Sequence, residues 1–174
     1  MKFITNSSHI LSTFFVFLLL TLSTHAHAQF INKKWNEKIL ITPKNSEINV
    51  SWAVSEEEKQ QGLSGLKANK MKKNEGLVFV YSKEMPLKFW MPDTHFDLDI
   101  IFLDKNFKVV AIETLPHYPS RNEPQKIPTT KVYQGQFVLE LHAGMAKKYG
   151  ITKGSQLKWK KALDQKFQKS LGIK

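Results

Sequence analysis

Leu98, Ile100 and Phe102 alternate with Asp99, Ile101 and Leu103, and no other stretch of the chain constrains its fold as tightly. Side chains that alternate with period two point to opposite faces of a strand. Here one face is wholly apolar, and the other carries a single carboxylate, Asp99, before it too continues apolar. Such a strand must be covered on both sides. Immediately upstream stands the aromatic box Phe89-Trp90-Met91, followed by Pro92, Asp93 and Thr94. Proline cannot donate to a ladder, and Asp and Thr side chains bond nearby backbone, so this is turn chemistry. The expected result is a pocket at the mouth of a sheet, with Trp90, Met91, Asp93, Thr94, His95 and Asp99 directed towards it. No reaction can be read from these residues.

The remaining segments supply partners for that strand. Ile39 to Ile41 is a short strand ended by Pro43, and Ile48, Val50, Trp52 and Val54 mark one face of another. Ser55 with Glu58 forms a capping box, and the acidic run from Glu56 to Glu58 suits the positive end of a short helix that stops at Gly62. Leu77 to Tyr81, Val109 to Leu115 and Gln136 to His142 read as strands, Ala143 to Tyr149 as a short helix, and Ile151 to Trp159 as a last strand. Gly62-Leu63-Ser64-Gly65-Leu66 lacks the closing glycine of a nucleophile elbow and follows a helix, so it reads as a helix C-cap turn. Between Pro116 and Lys131 four prolines and scattered polar residues make a loop long enough to suggest a functional role. Leu163, Phe167 and Leu171 at spacing four, among Lys160, Lys161, Lys166 and Lys169, form a basic amphipathic helix whose apolar side suits its own domain or an anionic lipid surface.

The front of the chain is read separately. Lys2, the apolar run from Ile10 to Leu22 and the small residues of Ala26-His27-Ala28 have the order of a signal peptide cleaved after Ala28. The run is shorter than the roughly 20 apolar residues that span a bilayer. The expected organisation is a signal peptide at 1–28, an extension with a short strand at 29–46, one β-rich domain at 47–159 and the basic tail at 160–174. A periplasmic or secreted location follows. The chain has no cysteine, which removes disulfides, thiol nucleophiles and Cys-based metal sites. Its net charge of +11 comes from scattered lysines with Arg121 as the only arginine, and no nucleic-acid-binding pattern is present. Base and phosphate readers favour the guanidinium fork, so the charge suits a solvated surface or an anionic envelope, with no nucleic-acid partner expected.

Five segments taken together resemble one family: Glu58 to Leu63 (E-x-x-x-G-L), Gly76 to Val80 (G-L-V-F-V), Phe89 to Thr94 (F-W-M-P-D-T), Leu98 to Asp104 (L-D-I-I-F-L-D) and Val138 to Gly144 (V-L-E-L-H-A-G). This succession is similar to that of the uncharacterised bacterial and archaeal domain-of-unknown-function family number one hundred and ninety-two, over roughly Ile48 to Trp159. The resemblance implies a mainly β fold, α+β by content: a compact β barrel or sandwich with two short helices, here followed by the helical tail. It implies common export and no established activity. The family usually has Asn where this chain has His142, Asn or Gly at Asp93, and Pro or Ser at Asp97. A site shared across the family therefore rests on Trp90, Met91, Thr94, Asp99 and Glu140.

Chemically, His95, His117 and His142 follow no local metal-ligand spacing, so neither a metal nor another cofactor is expected. Asp99 and Glu140 sit on otherwise apolar strands and must be hydrogen-bonded or stand at a cavity edge. The leading expectation is a non-enzymatic exported module that takes a small molecule or glycan between the Trp90 box and the proline-rich loop, with Trp90, Met91, Asp93, Thr94, Asp99, Glu140 and His142 as binding residues. The alternatives are a hydrolase using Asp99 and Glu140 as an acid/base pair, and a structural envelope factor that docks a partner or an anionic surface through its Lys-rich tail.

Overall fold

The computed structural model describes residues 38–170. The expected signal segment, Trp35 and Leu171 lie outside the described residues, as does the side chain of Phe167. One seven-stranded sheet dominates, in the order β5-β4-β6-β3-β2-β1-β7. Its strands are β1 (Lys38–Ile41), β2 (Glu47–Ala53), β3 (Glu75–Leu87), β4 (Leu98–Leu103), β5 (Val109–Leu115), β6 (Tyr133–His142) and β7 (Lys158–Trp159). All neighbours are antiparallel except β2 and β3. The mainly β architecture is a curled sheet, a half-barrel, with two short helices on it: α1 (Glu56–Gln61) and α2 (Met145–Lys148). The tail adds α3 (Gln165–Ser170).

The edges of the sheet are laced together at one end. Val109 N–H donates to Ser155 O at 2.8 Å, Gly154 N–H to Val109 O at 2.8 Å and Leu157 N–H to Phe107 O at 3.1 Å, which joins the entry to β5 with the entry to β7. Gly154 makes the turn possible with a φ of +88°, a conformation that costs glycine nothing. Phe107 seals the joint, its ring stacked on Phe137 at 4.2 Å and edge-on to Trp159 at 5.1 Å.

Cover on both faces follows from the side-chain pattern. All six residues of β4 are buried. Ile101, Leu103, Val78, Val80, Leu139 and Leu141 face one core, which Leu40, Ile48 and Val50 complete. Ile100, Phe102, Leu77, Phe79 and Val138 face a second core whose cover is loop: Leu63, Leu66, Met71, Phe89, Met91, Phe96 and Ile127. Each fully buried Leu, Ile or Phe contributes about 1.5–3 kcal/mol of transfer free energy, so two dry faces make this sheet its own scaffold without a disulfide. Leu163 also packs into the first of these cores, so the tail joins its own domain at that residue.

Three elements differ from the sequence reading. β3 runs on to Leu87 through a polar, proline-containing stretch, because past an irregularity between Val80 and Met85 it pairs as an exposed ribbon with Tyr133 to Gly135. β7 is two residues long, since the Gly154-Ser155 turn takes Ile151 to Leu157 out of the ladder. The helix read over Ala143 to Tyr149 keeps only its central turn. Among the described residues, no helix is long and apolar enough to cross a membrane.

Candidate functional site

The proline-rich loop is bonded to the aromatic box. Met91 N–H donates to Pro128 O at 3.1 Å, Thr130 N–H to Phe89 O at 2.9 Å, and Phe89 N–H to the Thr130 hydroxyl at 3.0 Å. Further along, Thr94 and Tyr118 exchange backbone bonds at 3.0 and 2.9 Å, and Asp93 N–H reaches Ser120 O at 3.0 Å. Residues 116–131 thus pair with the box almost as an added strand. This corrects the expectation of a ligand seat between box and loop: hydrogen bonds already fill that seam.

The open space lies on the other side of the box, against the turn that ends α1. That turn is fixed by the capping box at the helix start, where Glu58 N–H donates to Ser55 Oγ at 3.2 Å and Ser55 N–H to Glu58 Oε2 at 3.0 Å. Gly62 then breaks the helix with a φ of +49°. Lys59, Gly62 and Ser64 from this turn, Trp90, Met91 and Thr94 from the box, and Glu140 from β6 line a cleft of about 40 Å³. This holds a few water-sized groups; pockets that enclose a whole drug-sized molecule run to roughly 300–1,000 Å³. A ligand here would insert one substituent and leave its body outside.

Trp90 is where that body would rest. Its side chain is 56 % exposed beside a cleft whose other aromatic lining, Phe79 and Phe89, is buried. Met91 and Thr94 are themselves buried and shape the wall. Glu140 brings a carboxylate that is only 4 % exposed. Its charge acts on Tyr81, whose phenol is pushed up to about 12, first by burial and then by Glu140 and Glu56. Lys59 lies 4.8 Å from the centre of the Tyr81 ring and pairs with Glu56 at 2.6 Å.

Asp93 stands at the rim. With a φ of +51° it turns the chain, and its carbonyl accepts from Gly65 N–H at 2.8 Å. Its carboxylate meets His95 Nε2 at 3.0 Å and Arg121 Nε at 3.9 Å. Arg121 also donates to Ser64 Oγ at 2.6 Å, and Ser64 donates to Pro92 O at 2.7 Å. Ser64 is therefore a buried tie between turn, box and loop, in keeping with the C-cap reading of its turn.

Two of the residues named from sequence stand elsewhere. Asp99 pairs across the sheet with Leu141, whereas Glu140 pairs with Ile100, so the two carboxylates point to opposite faces. This corrects the acid/base pair on which the hydrolase alternative rested. Asp99 accepts from the Thr114 hydroxyl at 2.6 Å and from Ala146 N–H at 2.8 Å, which joins β4 to β5 and α2. His142 shares the face of Glu140 but does not line the cleft. Its Nε2 lies 2.8 Å from Met71 O and its ring stacks on Phe96 at 4.4 Å. Burial, with a smaller contribution from Lys73, holds its pKa below the usual 6.5 against the opposing effects of Met71 O and Glu75. His95 serves Asp93 and His117 serves Asp97, so the three histidines work separately. Among the described residues, no group of three or more His, Asp or Glu is placed to hold a metal ion.

Lys59, Ser64 and Arg121 were not among the residues named from sequence. Ser64 carried a signal in its glycine-flanked turn and Arg121 in being the only arginine, but 57 positions separate them.

Two solved structures share the fold. One, provisionally described as a transcription regulator from Sinorhizobium meliloti 1021, is 26 % identical with a TM-score of 0.58, over 70 % of this chain and 90 % of that one. The other, a protein of unknown function from Novosphingobium aromaticivorans DSM 12444, is 23 % identical with a TM-score of 0.57, over 70 % of this chain and 82 % of that one. No curated protein matches the chain. The sequence profile of the uncharacterized ACR family, DUF192, matches residues 39–159, and the chain belongs to that family.

Proposed function

We propose that the protein is an exported, non-enzymatic binding module that seats a small hydroxyl-bearing ligand, a glycan above all, at the Trp90 cleft. The observation that supports this most is the convergence of an exposed tryptophan with a buried carboxylate, a lysine and a threonine on one narrow opening. An indole offers a flat apolar face for the ring of a sugar. The cleft admits one substituent of that ring, and Glu140 accepts from its hydroxyl. In this reading the mature chain begins at Gln29 in the periplasm or outside the cell, and the Lys-rich tail favours an anionic envelope surface. The regulator description of the Sinorhizobium meliloti relative is not carried over, because the charge of this chain is scattered lysine with one arginine and no nucleic-acid-binding pattern.

Calorimetric titration of the mature protein with a panel of oligosaccharides tests the reading. Trp90→Ala should abolish binding while lowering stability by well under the ~3–5 kcal/mol of an emptied core aromatic site. Glu140→Gln should weaken binding in parallel. Turnover of any panel member, or binding indifferent to Trp90→Ala, would overturn it.

A further inference from the structure

We infer that the rim of the Trp90 cleft is an oxyanion subsite, built by Arg121 and Lys67, that selects a ligand carrying a carboxylate. The inference rests on the binding reading above and deepens it. Lys67 Nζ lies 3.3 Å from His95 Nδ1, His95 Nε2 lies 3.0 Å from one oxygen of Asp93, and the other Asp93 oxygen faces Arg121 Nε at 3.9 Å. An ammonium can only donate, so Nδ1 accepts and the ring proton sits on Nε2, where it is shared with Asp93. Arg121 thus faces the Asp93 carboxylate directly, and Lys67 stands one imidazole away from it. The neighbouring acidic side chains of this side are engaged elsewhere: Glu123 with Lys126 at 2.6 Å, Asp97 with His117 at 2.6 Å and Glu56 with Lys59 at 2.6 Å. A second carboxylate, supplied by the ligand, would complete the cluster.

Arg121 has the geometry to receive it. Its bond to Ser64, a residue that lines the cleft, places the guanidinium at the rim, and the side chain is still 52 % exposed. A guanidinium has five donors in a planar fork, and one amino group is held by Ser64 while Nε faces Asp93. The fork is thus pre-oriented with donors left towards solvent, which lowers the entropy lost when an oxyanion pairs with it. A sugar ring on Trp90 with an acidic substituent towards Arg121 satisfies both parts of the site. Uronic acids have this chemistry.

The test compares a cello-oligosaccharide with its C6-oxidised glucuronate counterpart, which differ only in carboxylates. Wild type should bind the acidic form at least about tenfold more tightly, as expected for a charge-assisted contact, with the preference fading as salt rises. Arg121→Gln should remove the preference, read as the ratio of the two affinities, whereas Trp90→Ala should lose both ligands. Lys67→Gln, at an exposed position, gives a second reading if Arg121→Gln does not fold, and should reduce the preference. Equal affinity of wild type for the two forms would overturn the oxyanion subsite and leave the binding module standing. Binding of neither form would overturn both. A preference that survives Arg121→Gln and Lys67→Gln would assign the selectivity to other residues and refute this subsite.

Discussion

Asp99 is the one polar side chain that β4 carries, and the structure gives it two donors from two different elements. A buried acceptor deprived of its partners costs roughly 1–3 kcal/mol. Asp99→Asn keeps the shape but turns one of the two oxygens into a donor that faces Ala146 N–H or Thr114. We expect it to lower stability by about that amount in urea denaturation and to leave ligand affinity at the Trp90 cleft unchanged, since Asp99 faces the opposite side of the sheet. A lost affinity with intact stability would contradict this assignment. His142 gives a pH-dependent counterpart. Its folded pKa lies below 6.5, so below that pH the unfolded chain binds a proton that the folded chain resists. Stability is complete above about 6.5 and declines as pH falls through the folded value. Asp97, held below 3.8 by His117, loses its contribution in a separate and more acidic window. His142→Asn should flatten the decline that begins near 6.5, read as the urea midpoint against pH; an unchanged slope would assign that decline to another group.

Among the elements, β3 and β6 approach closely enough to exclude a methyl group. A Cβ on Gly76 would stand 2.7 Å from Leu141 Cδ2, 2.9 Å from Leu139 Cδ1 and 3.2 Å from the Glu140 carbonyl oxygen. The first two can shift, but the third is backbone in a central strand. Gly76→Ala should therefore destabilise the fold by about 1–3 kcal/mol, as overpacking does, and a thermal melt no lower than wild type would show that the sheet relaxes there. The elements themselves were largely legible from sequence. Alternation located the central strands, Ser55 and Glu58 located the start of α1, and the doubly apolar run at β4 required the two cores that are found. What alternation leaves open is which residue stands opposite which. Asp99 and Glu140 occupy similar settings along their own strands, and only the register that opposes Asp99 to Leu141 puts them on different faces. The extension of β3 was illegible for a related reason: its ladder comes from Tyr133 to Gly135, not from any apolar pattern of its own.

On the scale of the whole molecule, the site is an assembly of distant segments on one side of a curled sheet. The helix-ending turn, the aromatic box, the proline-rich loop and β6 meet there, and Ser64 with Arg121 ties three of them together. Sequence pointed to the box and Glu140, which line the cleft, because their residue types are unusual for their strands and turns. It missed Lys59, Ser64 and Arg121 because their role depends on tertiary contact. The proline content of the loop suggests one wall of a pocket, whereas its backbone ladder with the box makes it a support for the other wall. The most direct measurement of the central claim is a titration of the mature protein with the cellulose-derived glucuronate oligomer, followed through the indole N–H signals of its four tryptophans by heteronuclear NMR. The Trp90 indole is expected to shift in a saturable way while those of Trp52, which is buried, and Trp159, at the joint with Phe107, stay in place. Saturable binding that leaves the Trp90 signal unmoved would contradict it.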